Sequence, residues 1–187
     1  MLSVKWSGYR IAAYVGQGLL SVAVIAAAVQ GKWQNAFALA LFLAASLIFV
    51  VKDDRLPTLF DFLFVLAALL NAAGWVWGLF NAPGLYDEIV HGFTIFALTL
   101  AFGFLVYRPM LDIFRQHKLL YLLTIVSFGI AVGALWEIIE WSAGQVLPIQ
   151  VVPGLEDTII NLVMDSLGAV FAALLSLWAL REWRTSR

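Results

Sequence analysis

No cysteine occurs among the 187 residues. Disulfides, a thiolate nucleophile and thiolate metal ligands are therefore excluded, and only His, Asp, Glu and Asn remain as donors for a metal. Charge is almost as scarce: Asp, Glu, Lys and Arg make up 12% of the chain against 63% hydrophobic residues, and mean hydropathy is +0.94. So few charges could not solvate a soluble domain, whereas a polytopic membrane protein requires that balance. Long basic stretches are missing as well. The net charge is −1 and the bases stand in small groups beside apolar runs, which argues against a nucleic-acid partner. The partner this composition demands is the lipid bilayer.

Six apolar runs are long enough to cross a ~30 Å hydrocarbon core. They cover about 11–30, 34–51, 58–80, 88–107, 119–141 and 158–180, and predict an all-α bundle of six transmembrane helices forming a single integral membrane domain over 1–187. Lys5 and Arg10 precede the first run, Lys52 and Arg55 follow the second, Arg108, Arg115 and Lys118 follow the fourth, and Arg181, Arg184 and Arg187 follow the last. Ten of the eleven bases thus fall on one side, leaving Lys32 on the other. The positive-inside rule then sets both termini in the cytoplasm, as expected of a multi-pass protein of the bacterial cytoplasmic (inner) membrane. The first run exceeds an ordinary signal-peptide core and is expected to be retained. No internal repeat is visible.

Two connections carry patterns of their own. "YRPMLDIFRQHK" (107–118) puts Met110, Leu111 and Phe114 on one side after Pro109, the pattern of a short helix lying on the cytoplasmic surface, with His117 a solvated loop residue. "GQVLPIQVVPGLED" (144–157) is an unusually apolar outer connection with Pro148 and Pro153.

The twelve acids divide unevenly. Asp53, Asp54, Asp61, Asp112 and Glu182 join ten bases in the inner half, while Asp87, Glu88, Glu137, Glu140, Glu156, Asp157 and Asp165 face a single base, Lys32, in the outer half. A carboxylate at the centre of a span costs ~2.5–3.5 kcal/mol on insertion scales and needs a cation or a proton. Helical spacing shows which groups can meet. In "YDEIVHGFT" Asp87 and His91 share a face; in "WEIIEW" Glu137 lies one turn in from Glu140; in "EDTIINLVMDSLGA" Asp157, Asn161 and Asp165 repeat every four residues. Gly129 and Gly133 share the stripe of Glu137 and let a neighbouring helix approach closely. Three helices thus offer His91, Glu137, Asn161 and Asp165 at one depth.

Structural roles compete for several of these positions. Asp87 and Asp157 stand where helices begin and suit caps or the macrodipole; Glu88, Glu140 and Glu156 suit the water boundary; Asp61 and Asn71 suit interhelical hydrogen bonds. Asp165 and Glu137 fit such roles least, being the deepest acids in helices otherwise compatible with lipid.

The block from Tyr86 to Ala169, through "YDEIVHGF", "WEIIEW" and "DTIINLVMDSLGA", resembles the YjdF-type inner membrane proteins, a family of unknown function, and is more distantly similar to VanZ-like membrane proteins. Glu140 stands where VanZ-like sequences usually carry Gln, no Arg precedes Asp157, and either Asn161 or Asp165 takes the Asn position of the last motif. The resemblance implies a shared membrane fold, a polar centre at Asp87, His91, Glu137, Asp157, Asn161 and Asp165, and a link to the cell envelope.

Two function classes follow, with a scaffold as the third. In the first, His91, Glu137 and Asp165 form a catalytic or binding centre for a lipid-linked or amphiphilic envelope molecule, holding a divalent metal ion or working as acid and base, with Asp87, Glu140, Asp157 and Asn161 around it. In the second they form the cation or proton site of a transporter, although no acid continues the chain from Asp165 to the cytoplasm. His-Glu-x-x-His and Gly-x-Ser-x-Gly signatures do not occur. The ten-to-one bias of bases predicts that a reporter fused after Arg187 is active only if it works in the cytoplasm. Activity of a periplasm-dependent reporter there would reverse the orientation.

Overall fold

The structure, a computed structural model, describes residues 7–52, 56–107, 114, 116–146 and 154–185. Among them the long elements are all helices: α1 (Ser7–Val29), α2 (Trp33–Lys52), α3 (Thr58–Trp77), α4 (Tyr86–Tyr107), α5 (Lys118–Val146) and α6 (Leu155–Thr185), with one 3-10 turn at Leu79–Asn81. Five are long and apolar enough to cross a membrane, and α2 adds the apolar stretch Trp33–Leu47. The expected all-α, six-helix architecture is therefore present, and the differences lie at the boundaries.

The third run, expected to reach 80, ends at Trp77 because Gly78 takes the left-handed conformation, φ 68° and ψ 25°, which Gly adopts without a Cβ penalty. Helix α5 runs on to Val146, and α6 starts at Leu155 with Glu156 and Asp157 in its first turn, where acids favour the helix dipole. The outer connection is accordingly shorter than 144–157, and its prolines lie outside the described residues. So do 108–113 and 115 of the expected surface helix; Phe114 and Gln116 are helical. Lys5, Asp53, Asp54, Arg55, Arg108, Asp112, Arg115 and Arg187 likewise lie outside them.

The chain forms two compact units, Met1–Val90 and His91–Arg187. In the first, α1, α2 and α3 pack on one another. The α1–α2 turn is a Schellman motif: Gly31 has φ 71°, its N–H reaches the Ala28 carbonyl at 3.0 Å, and the Lys32 N–H reaches the Ala27 carbonyl at 2.9 Å. Leu20, Ala27, Ala36, Leu39, Ala68 and Ala72 form the core of this unit. Gly16 brings α1 onto α3, since a Cβ there would meet the Val65 side chain. After Gly78 the chain folds back so that the Phe80 ring lies over Gly74, and the Tyr86 hydroxyl donates to the Leu70 carbonyl at 2.8 Å.

In the second unit α4, α5 and α6 meet along small residues. A Cβ at Gly168 would collide with the Gly92 carbonyl, and one at Gly129 with Thr99 and Ala169. Lipid supplies no hydrophobic drive for helices to associate, so close backbone contact supplies the dispersion energy instead. Phe102 stacks on Phe128 with centroids 3.8 Å apart, and Phe96 meets Phe171 at 5.6 Å.

Asp61, expected to bond between helices, does so by charge: Arg10 Nε on α1 donates to its Oδ2 at 2.7 Å, and the Asp61 side chain is 4% exposed. Removing the guanidinium strands a buried carboxylate. Arg10→Met should cost about 3 kcal/mol, the low end of the range for breaking a buried pair because Arg10 is partly exposed, and adding Asp61→Leu should restore much of it. Detergent melting of both variants checks this, and a single variant as stable as the parent would refute it.

Candidate functional site

Buried positions on α5 recur as Tyr121, Ile125, Gly129, Gly133, Glu137 and Glu140, and on α6 as Asn161, Asp165, Ala169, Ala173 and Ser176. Each is a stripe of nearly four-residue period, the signature of a helix face turned inward. The middle of both stripes is Gly or Ala, so the backbones approach there. The acids sit toward one end, the end shared by the start of α4, the end of α5 and the start of α6.

Gly133 sets the closest approach. A Cβ at this position would overlap the Asp165 carboxylate, so the acid of α6 lies directly against the backbone of α5. Glycine is needed here for its missing side chain. One turn further along α5, Glu137 comes to the same level, and α4 supplies His91.

These three residues are 5%, 5% and 0% exposed for His91, Glu137 and Asp165. His91 Nδ1 lies 3.4 Å from Asp165 Oδ1 and 3.6 Å from Glu137 Oε1. One donor atom from each residue falls within 4.8 Å of the other two. On the opposite side of the ring, His91 Nε2 lies 3.9 Å from Glu140 Oε2. Within 3.5 Å none of the four carboxylate oxygens of Glu137 and Asp165 accepts a hydrogen bond from the described residues, and the side chain near enough to Glu137 to act as a weaker donor is that of Thr158 on α6. Three carboxylates surround one imidazole, so even a protonated ring leaves negative charge in excess. Buried groups of this kind are costly unless a cation or protons offset them.

The remaining predicted residues divide. Glu140 is buried at 7% exposure and belongs with the cluster rather than at the water boundary. Asn161 is 1% exposed, one turn along α6 from Asp165. Asp157 is half-buried in the first turn of α6, where a dipole role suffices, and Glu156 is exposed. Asp87 is half-buried in the first turn of α4 and belongs to the first compact unit. No basic side chain of the described residues in the second unit forms an ion pair with the cluster.

Sequence reading missed the polar groups that continue these stripes. The Tyr121 hydroxyl and Ser176 Oγ are 2.7 Å apart and fully buried, and Thr99 on α4 is buried with an Oγ1 that has no hydrogen-bond partner among the described residues. Ser176 stands three turns beyond Asp165 on one face, which is the signal that could have marked it.

The family described as "Predicted membrane protein (DUF2238)" matches residues 9–182, and it is the family of the YjdF-type proteins that the Tyr86–Ala169 block resembles. No curated protein and no solved structure matches the chain.

The Gly133 contact predicts a sharp difference between glycines. Gly133→Ala should overpack the seam and lower stability by about 1–3 kcal/mol. Gly18→Ala, on an open face of α1 with nothing within 4 Å, should be neutral or gain up to about 1 kcal/mol. Equal melting temperatures for the two variants in detergent would contradict the packing at Asp165.

Proposed function

Since the chain belongs to the DUF2238 family of predicted membrane proteins, we propose that it is a multi-pass protein of the bacterial cytoplasmic membrane whose His91, Glu137 and Asp165 hold a divalent metal ion and, with it, bind or act on an amphiphilic cell-envelope molecule. The observation that carries this reading is the set of buried carboxylate oxygens on Glu137 and Asp165, which accept no hydrogen bond within 3.5 Å from the described residues while facing one imidazole nitrogen. Hydrogen bonds to carboxylates close to ~2.7–2.9 Å. Ligands sharing a tetrahedral ion instead stand about 3.3–3.6 Å apart, as follows from metal–donor distances of ~2.0–2.2 Å. The separations of 3.4 and 3.6 Å match the second spacing.

One imidazole with two carboxylates suits zinc, manganese or iron(II). Such an ion, when bound, polarises a carbonyl or phosphoryl oxygen or activates water. The chain's own residues hold it in place, offset its charge and exclude bulk water. An amphiphilic ligand fits the surroundings, because the exposed faces of Ile138, Ile139 and Trp141 on α5 and Ile159, Ile160 and Val163 on α6 offer apolar surface near the cluster. Transport fits less well: among the buried described residues inward of Asp165 in the second unit, no carboxylate or imidazole continues the path.

Metal analysis of detergent-purified protein should find about one divalent ion per chain in the parent and a loss of most of it in His91→Ala and Asp165→Asn. Added metal at ~100 times its Kd should stabilise the parent by about 2.7 kcal/mol and leave Asp165→Asn unmoved. Without metal, Asp165→Asn should melt at or slightly above the parent, since an acid kept for function is held at a cost to stability. A large loss of stability in Asp165→Asn, insensitive to cations, would leave a packing role instead. A parent that loads metal but melts unchanged with envelope lipid extract would retain the metal centre and remove the amphiphile.

A further inference from the structure

His91 presents two different nitrogens to two different neighbourhoods. Nδ1 faces the pair of carboxylates at 3.4 and 3.6 Å, while Nε2 faces Glu140 Oε2 at 3.9 Å. A planar ring cannot turn both nitrogens toward the same ion. Metal-bound histidines characteristically donate their second N–H to a carboxylate, which selects the tautomer and fixes the ring plane. Glu140 is buried and is carried by α5 three residues beyond Glu137, so the helix that offers one ligand also carries the group on the far side of the ring. Closing 3.9 Å to a charge-assisted bond of ~2.7–2.9 Å requires only a side-chain adjustment of about 1 Å.

We propose that Glu140 is a positioning residue: it holds the Nε2–H of His91, so that Nδ1 is the nitrogen presented to the metal. This rests on the metal reading of the His91, Glu137 and Asp165 cluster. It assigns Glu140 a task separate from that of Glu137 although the two carboxylates share one helix face. The task is directional. It needs an acceptor at the Nε2 position and no bond from Glu140 to the ion.

The chain has two histidines, and His117 is exposed, so His117→Asn isolates the ring of interest. In that background, full-length protein labelled with 15N-histidine and loaded with zinc in detergent should show Nδ1 as the zinc-bound nitrogen and Nε2 carrying the proton. Glu140→Leu should weaken zinc binding 10–100-fold, without lowering the metal-free melting temperature, and should mix the two modes of ring ligation. Glu140→Gln, whose amide oxygen still accepts the N–H, should keep Nδ1 ligation and recover most of the affinity. Zinc on Nε2 in the parent, or Glu140→Leu binding zinc within twofold of the parent, would overturn the proposal while leaving the metal centre standing. Glu140→Gln as weak as Glu140→Leu would make Glu140 a ligand and overturn it as well. A parent that binds neither zinc nor manganese would instead overturn the metal reading from which it starts.

Discussion

An acid can lie inside a membrane span only where other protein covers it, and here the cover is the backbone of α5 at Gly133. The Asp165 carboxylate rests where any side chain would stand; the α5–α6 spacing that this contact requires is maintained by Gly129 against Ala169, and Gly168 against Gly92 brings α6 equally close to α4. Small residues thus serve two ends at once. They provide close packing where lipid offers no hydrophobic drive, and they bring functional groups from three helices within a few ångströms of one another.

The two buried aspartates among the described residues stand in different electrostatic surroundings. Asp61 has an arginine nitrogen 2.7 Å away, a fixed counter-charge that satisfies it and links α1 to α3. Asp165 stands 3.4 Å from an imidazole nitrogen and beside a second acid, and its oxygens accept no hydrogen bond among the described residues. A guanidinium is always charged and occupies its acceptor permanently. A histidine shared among carboxylates leaves electron pairs for another species, which is the property a cation or substrate site needs.

Position along the helices sharpens the contrast. Among the described residues the buried carboxylates crowd toward one end of the second unit, while the buried polar side chains farther along are the hydroxyls of Thr99 on α4, Tyr121 on α5 and Ser176 on α6. The Tyr121 and Ser176 hydroxyls bond to each other, and Ser176 donates to the Ala173 carbonyl, so they can lock helices without holding net charge. Electrostatic cost is thereby concentrated at one depth, where protein surrounds it.

Much of this was legible from residues alone. Apolar runs of about 20 residues are enough to mark the spans, since length and apolarity are what a bilayer demands, and four-residue spacing puts Glu137 with Gly133 and Asp165 with Asn161 because helical periodicity is local. The shortage of lysine and arginine near these acids already left His91, protons, a metal ion or a positively charged ligand as their counter-charge, and His91 is the protein group that stands beside them. Residue spacing has no access to distances between helices. That Arg10 rather than a hydroxyl or amide meets Asp61, that Glu140 is buried beside His91 Nε2 instead of standing at the water boundary, and that Thr99 and Ser176 extend the seam all depend on helix rotation and separation. Those are set by packing of Gly and Ala against distant partners, interactions between residues tens of positions apart that leave no periodic mark in either segment.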